Sequence, residues 1–294
     1  LILQRENKLF WDSKVISSDK AVHLSPEGVL IAYRPGSQAY YLIDVSKPNS
    51  PLNVTALFNR LKEKQLKLPG VLPLTKVAPA SYNDRKLIVM TGKGIYSLDT
   101  ERESLELLSS STIGFAAAGN EVYFWNNEGL FSFNLIFRNK SPVAGLDDFK
   151  TSSIKEIAVS QSGGVIGLLT KGDTAYVLDR SQNKLLKIAE NVDQIIPSYD
   201  GKKLAALLKD NSLVVYEKKE AEKYKIMRLE LSDAGPVRQA DWHKNNRYLF
   251  VRDSRNNLYF IEADDPPPLN KVLIASGVQS FTYLQEKNKL YFRD

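Results

Sequence analysis

The sequence predicts an all-β fold, a β-propeller of seven four-stranded blades. Three observations carry that expectation. First, Val192 to Glu217 reads as three short apolar strands joined by turns at Asp200-Gly201 and Asp210-Asn211, an antiparallel meander. Second, the same unit recurs, with first strands starting near Ala21, Val77, Ile113, Ile154, Val192, Val237 and Val278. The spacing runs from 36 residues (Val77 to Ile113) to 56 (Ala21 to Val77), against roughly 40–50 for a propeller blade. Third, apolar residues come in short runs separated by turn residues, and almost no segment sustains helical spacing.

Within each unit four strands, A to D, have distinct characters. Strand A ends in a polar turn: Pro26-Glu27-Gly28, Asn83-Asp84-Arg85, Gly119-Asn120, Ser162-Gly163-Gly164, Asp200-Gly201, Lys244-Asn245-Asn246 or Lys287-Asn288. Strand B is the most apolar (LIAY, LIVM, VYFW, VIGLL, LAALL, YLFV), as expected for a strand buried on both faces between neighbouring blades. Strand C carries an aromatic and usually ends in an acid: Asp44, Asp99, Asp179, Glu217 and Glu262, with Asn134 departing only in its last residue. Strand D (LELLSS, KLLKIAE, YKIMRLEL, NKVLIAS) is weakest, and its Lys and Glu residues suit an exposed edge.

One stretch breaks the rhythm. Asn53 to Lys67 places Val54, Leu57, Phe58 and Leu61 on one helical stripe, with Arg60, Lys62, Glu63 and Lys64 off it. Asn53 is the expected N-cap and Pro69-Gly70 the expected stop, so residues 52–68 are read as a helical insertion against the side or rim. At the ends, residues 1–18 and 278–294 are expected to complete one closing blade within a single domain spanning 1–294. Residues LIL at the start and KLYF at the end both resemble strand B, which leaves eight blades as the alternative count.

Composition narrows the function. The chain has 294 residues, 43% apolar and 25% charged, which fits a soluble protein with a sizeable core. Its 40 Lys and Arg against 34 Asp and Glu give +6, with bases and acids interspersed, so a nucleic-acid groove is not expected. There is no cysteine, which excludes disulfides, thiolate metal sites and Cys nucleophiles. No stretch approaches 18 consecutive apolar residues, so no transmembrane segment is expected in this chain. It opens on Leu1 directly in strand-like sequence, as a processed or trimmed fragment with its signal or anchor elsewhere would.

Catalytic patterns are sparse. The two histidines, His23 and His243, fall on distant units and are read as structural. No G-x-S-x-G, Walker, Rossmann or EF-hand motif occurs, and Gly92-Lys93-Gly94 and Gly163-Gly164 read as hairpin turns. The acids closing the C strands could form a ring binding a cation, as in propeller lactonases; the alternative is that each caps its own turn. Asn53-Val54-Thr55 is a sequon better read as a helix cap, and Asp264-Asp265-Pro266-Pro267-Pro268 a stiff rim loop.

Leu24-Ser25-Pro26-Glu27-Gly28 and Pro197-Ser198-Tyr199-Asp200-Gly201-Lys202-Lys203-Leu204-Ala205 resemble the SPDGKKIA repeats of TolB-like propellers, relatives of the WD-type and prolyl-oligopeptidase propellers. The rhythm covers nearly the whole chain, and exported bacterial proteins of the PEGA type look similar. The resemblance implies a scaffold or protein-interaction disc, often outside the cytoplasm. With the absence of catalytic motifs, the expectation is a non-catalytic module, monomeric, with protein partners, no cofactor or metal, and a periplasmic, extracellular or membrane-anchored setting. The resemblance carries over no catalytic residue, because its motif is a structural turn. A lactonase-like or glycan-processing enzyme with a central cation site is the alternative.

Overall fold

The computed structural model describes residues 2–5, 8–11, 14–17, 20–24, 29–44, 46–80, 83–147, 149–160, 162, 164–210, 212–219, 224–229, 235–264, 270–284 and 288–293. The chain divides into two compact units, residues 1–113 and 114–294. The fold is an all-β propeller, with six four-stranded antiparallel sheets, one helix and two smaller terminal sheets among the described residues.

The first unit begins with a three-stranded sheet of β1 (Ile2–Arg5), β2 (Lys8–Trp11) and β3 (Lys14–Ser17). The next sheet holds β4 (Lys20–Leu24), β5 (Val29–Arg34), β6 (Ala39–Asp44) and the two-residue β7 (Leu52–Asn53). Here strand D is cut short because the chain turns into α1 (Val54–Leu66), capped by the Asn53 side chain accepting from the Ala56 amide at 2.9 Å. The third sheet comprises β8 (Leu74–Ala80), β9 (Asn83–Thr91), β10 (Gly94–Asp99) and β11 (Ser104–Ser109).

Two details of α1 correct the sequence reading. The helix ends at Lys67, which takes a left-handed conformation (φ 56°), before Pro69-Gly70 is reached. Lys62, expected off the apolar stripe, is completely buried, because it follows Phe58 by four residues on the same face. Its ammonium donates to the carbonyls of Pro69 and Gly70, so the loop after the helix supplies the partners that burial demands. Val54, Leu57, Phe58 and Leu61 join the core that includes Leu42, Val77, Leu87 and Leu98.

The second unit stacks similar sheets. Its members are β12 (Gly114–Ala118), β13 (Glu121–Trp125), β14 (Leu130–Asn134) and β15 (Asn139–Pro142); then β16 (Ile154–Val159), β17 (Val165–Thr170), β18 (Ala175–Asp179) and β19 (Lys184–Ala189). They continue with β20 (Val192–Pro197), β21 (Lys203–Leu208), β22 (Leu213–Lys218) and β23 (Tyr224–Leu229), then β24 (Val237–Trp242), β25 (Tyr248–Asp253), β26 (Leu258–Glu262) and β27 (Lys271–Ala275). A two-stranded sheet of β28 (Ser280–Leu284) and β29 (Lys289–Arg293) ends the chain. Of the two stretches that both read as strand B, Ile2-Leu3 falls in β1 and KLYF in β29.

Burial follows strand character. Every residue of β17 is buried, as are Lys203 to Leu207 of β21, so the B strands are walled on both faces. Neighbouring A strands pack side by side in this unit (β12 with β16, β16 with β20, β20 with β24). One edge departs from expectation: β27 exposes Val272, Leu273 and Ile274 in place of charged residues. A bulge at Ile274 interrupts its pairing with β26 and kinks that edge, which is another way to discourage pairing with a second chain. Residues Asp265 to Pro268 of the expected rim loop, the Pro26-Glu27-Gly28 turn, Gly163 and Lys287 lie outside the described residues.

Candidate functional site

The acids that close the C strands are used by their own turns. Oδ1 of Asp44 accepts the Ser46 amide at 2.9 Å and its hydroxyl at 2.6 Å. Asp99 accepts the amides of Glu101 and Arg102 at 3.1 and 2.9 Å, and Asp179 that of Ser181 at 2.9 Å. Asn134, the one departure in sequence, does the same for Ile136 and Phe137 at 2.9 and 3.0 Å, since only an acceptor oxygen is required. The capping reading therefore accounts for this position in four blades.

Glu217 and Glu262 are tied differently. Lys203, only 5% exposed, ion-pairs with Asp264 and approaches Glu217 at 3.7 Å, while Trp242 lies under the ammonium at 5.9 Å. Arg247 reaches Asp264 at 2.8 Å and Glu262 at 3.7 Å, and Asn270 donates to Glu262 at 2.5 Å. These charges clasp the β20–β23 sheet to the β24–β27 sheet. Among the described residues no group of three or more His, Asp or Glu side chains is placed to hold a metal ion.

His23 lies in β4 and His243 follows β24. His23 stands opposite Ile31 in the β4–β5 register. His243 sits in an aromatic cluster, stacked on Tyr283 at 5.4 Å and edge-on to Phe260 and Phe250 at 5.4 and 5.8 Å. The sequon residues serve the fold: Asn53 caps α1, and Thr55 Oγ1 accepts the Tyr40 amide at 2.9 Å. Gly92-Lys93-Gly94 is the hairpin turn between β9 and β10.

Three features were not singled out by sequence reasoning. The first is a bulge at the second residue of the A strands, which leaves Thr75, Lys155, Asp193 and Arg238 out of register and exposed. The second is a cleft of about 580 Å³ lined by Ile188, Leu208 and Val214 with Glu190, Lys209, Asp210 and Arg228. Its cations are matched, Arg228 to Asp210 and Lys209 to Asp173, both at 2.5 Å.

The third is the face of β24 and β25 turned toward β28. Gln239 donates to the Phe281 carbonyl at 2.7 Å and accepts its amide at 3.3 Å. Asp241 is half-buried beside it, opposite Phe250, and burial pushes its carboxyl up to about 6. The corresponding residues in other blades are Ala78, Ala158 and Ile196, and Arg252 stands where they carry Met90, Leu169 and Leu207. Comparing the repeats column by column would have exposed both outliers, because a charge breaks an otherwise apolar position.

No family model matches the sequence, and a search of curated proteins finds no match. Solved structures are similar in fold. PorZ of Porphyromonas gingivalis aligns over 93% of this chain at 16% identity (TM-score 0.53), and the chain spans about a third (35%) of PorZ. A chain of the mitotic checkpoint complex aligns over 100% of this one and 87% of its own length, at 11% identity and TM-score 0.63. The β-propeller domain of Myceliophteria thermophila Cps50 (Swd1) aligns over 87% of this chain and 86% of its own length, at 9% identity and TM-score 0.54. At these identities the likeness is one of fold, and the fold it shows is the β-propeller.

Proposed function

We propose that this chain is a non-catalytic β-propeller interaction module, part of a larger exported or membrane-anchored bacterial protein. The observation that carries the reading is the set of A-strand bulges. Lys155, Asp193 and Arg238 stand at equivalent, exposed positions on neighbouring strands, yet differ in charge from blade to blade. The architectural polar groups of the repeat recur; these do not. Variation at exposed positions on a rigid repeating scaffold is what selective recognition of another protein requires.

The extracytoplasmic part of the reading draws on PorZ, described as an essential bacterial surface component of the type-IX secretion system. Fold likeness alone does not transfer a role, so the setting is a proposal tested separately, by protease accessibility of the chain in intact cells. For the interaction itself, a photo-crosslinking residue is placed at 155, 193 or 238, and at Tyr224 on the D edge as the contrast. The expected result is one partner protein crosslinked from the A-strand positions and lost on Asp193→Lys. Crosslinking from position 224 alone, or partner capture indifferent to charge reversal at 193, would overturn the proposal.

A further inference from the structure

The bulge of β24 and the end of β25 bring two guanidinium groups, Arg238 and Arg252, close together. Arg252 replaces the buried leucines of sister blades, and its Nε is fully buried with no hydrogen-bond partner. Among the described residues its hydrogen bond runs from Nη1 to Oδ1 of Asn256 at 3.2 Å. Arg238, the exposed bulge residue next to its register partner Gln239, lies close enough to repel it. Burial, reinforced by that repulsion and only partly offset by the Asp253 charge, pulls the Arg252 guanidinium below its usual range.

Among the described residues neither arginine forms an ion pair. The neighbouring acid, Asp253, is fully buried and committed to its turn. It accepts the Arg255 and Asn257 amides at 2.9 and 2.8 Å, the Gly235 amide at 3.1 Å and Asn257 Nδ2 at 3.5 Å. Two cations beside a single buried carboxylate, with an orphaned donor at a position that other blades fill with methionine or leucine, work against stability unless a further negative group completes them. Guanidinium forks match carboxylate and phosphate oxygens in geometry.

We infer that Arg238 and Arg252 form an oxyanion-binding site, taking a carboxylate or phosphate group between the bulge of β24 and the end of β25. Arg252 donates to one oxygen from its guanidinium group, and Arg238 supplies the second charge from the solvent side. The site shares Arg238 with the interaction surface proposed above, and the test uses free anions so that it stands or falls without a protein partner.

The test follows the Arg252 Nε–Hε resonance of the full chain by NMR while sodium phosphate or sodium acetate replaces sodium chloride at constant ionic strength. A saturable shift with phosphate and acetate identifies a general oxyanion site; saturation with acetate alone identifies a carboxylate site, and with phosphate alone a phosphate site. Arg238→Gln is expected to weaken binding about tenfold, the loss of one charge-assisted contact. Arg252→Leu, which restores the residue type of the sister blades, is expected to abolish the anion-dependent rise in Tm. Arg252→Lys keeps the charge without the planar donor and is expected to bind about tenfold more weakly. Absence of a saturable shift with both anions, or an unchanged anion-dependent Tm in Arg252→Leu, would overturn the inference.

Discussion

Nζ of Lys218 lies 2.8 Å from Oδ1 of Asp179, joining the C strand of one blade to the C strand of the next. The same oxygen accepts the amide and hydroxyl of Ser181 at 2.9 and 2.7 Å. Burial alone would raise the Asp179 carboxyl, but these hydrogen bonds and the Lys218 charge outweigh it and hold it below the usual range. A depressed carboxylate stabilises the fold above its unfolded value, and that contribution is lost as pH falls through the folded value. Lys218→Met is therefore expected to cost about 1–2 kcal/mol near neutrality. In urea titrations the gap between variant and parent should close as pH drops below about 4, the unfolded carboxylate value; a constant gap would contradict the linkage.

Gly201 marks where two blades touch through their turns. Its φ is +69°, and a Cβ there would collide with Ser162 Oγ and lie 2.6 Å from Ser160 Oγ of the preceding sheet. Ser162 also donates to the Asp200 carbonyl at 3.0 Å. Both backbone conformation and space thus exclude a side chain. Gly201→Ala should destabilise by about 2 kcal/mol, conformational strain adding to the clash, and Gly92→Ala, which has open space, by far less. Equal losses in the two variants would refute the assignment.

Lys62 gives a third expectation. Its stem fills the stripe below Phe58, while its ammonium satisfies two loop carbonyls. Lys62→Ala removes both contributions and should cost about 2–4 kcal/mol; Lys62→Met keeps the packing and should cost about half as much. Urea midpoints for the two variants measure the difference directly.

The strand rhythm was legible because B strands buried on both faces leave continuous apolar runs, and the Asn53 cap because its partner is three residues away. Lys62 was not, since its partners come from beyond a left-handed turn at Lys67. Lys203 was absorbed into the Asp200-Gly201 turn motif; only folding brings Asp264 to its ammonium, from a loop on the following blade. The ring partners of His243, Phe260 and Tyr283, come from other strands and leave no local sequence signal. Asp241 and Arg252 were visible in principle. Each sits in a column of apolar residues, but single charges inside apolar runs draw no attention until the register aligns the repeats.

Asp241 supplies the last prediction. It is half-buried on the β24 face that packs on β28, beside Tyr283, and no described cation pairs with it; burial raises its carboxyl to about 6. In the unfolded chain the same group titrates near 4. Between those values the native state binds more protons than the unfolded one, so stability falls as pH rises from about 4 to about 6 and stays lower above. At about 1.4 kcal/mol per pKa unit the loss amounts to about 2–3 kcal/mol at neutrality. Asp241→Asn keeps the shape and removes the charge, so it should be more stable than the parent at pH 7 and nearly equal at pH 4. The check is the urea midpoint of both proteins across that range, with carboxyl ¹³C shifts of Asp241 reporting its titration. If both proteins share the same pH profile, the carboxyl is solvated well enough to ionise at its ordinary value, and the packing assigned to this face is wrong.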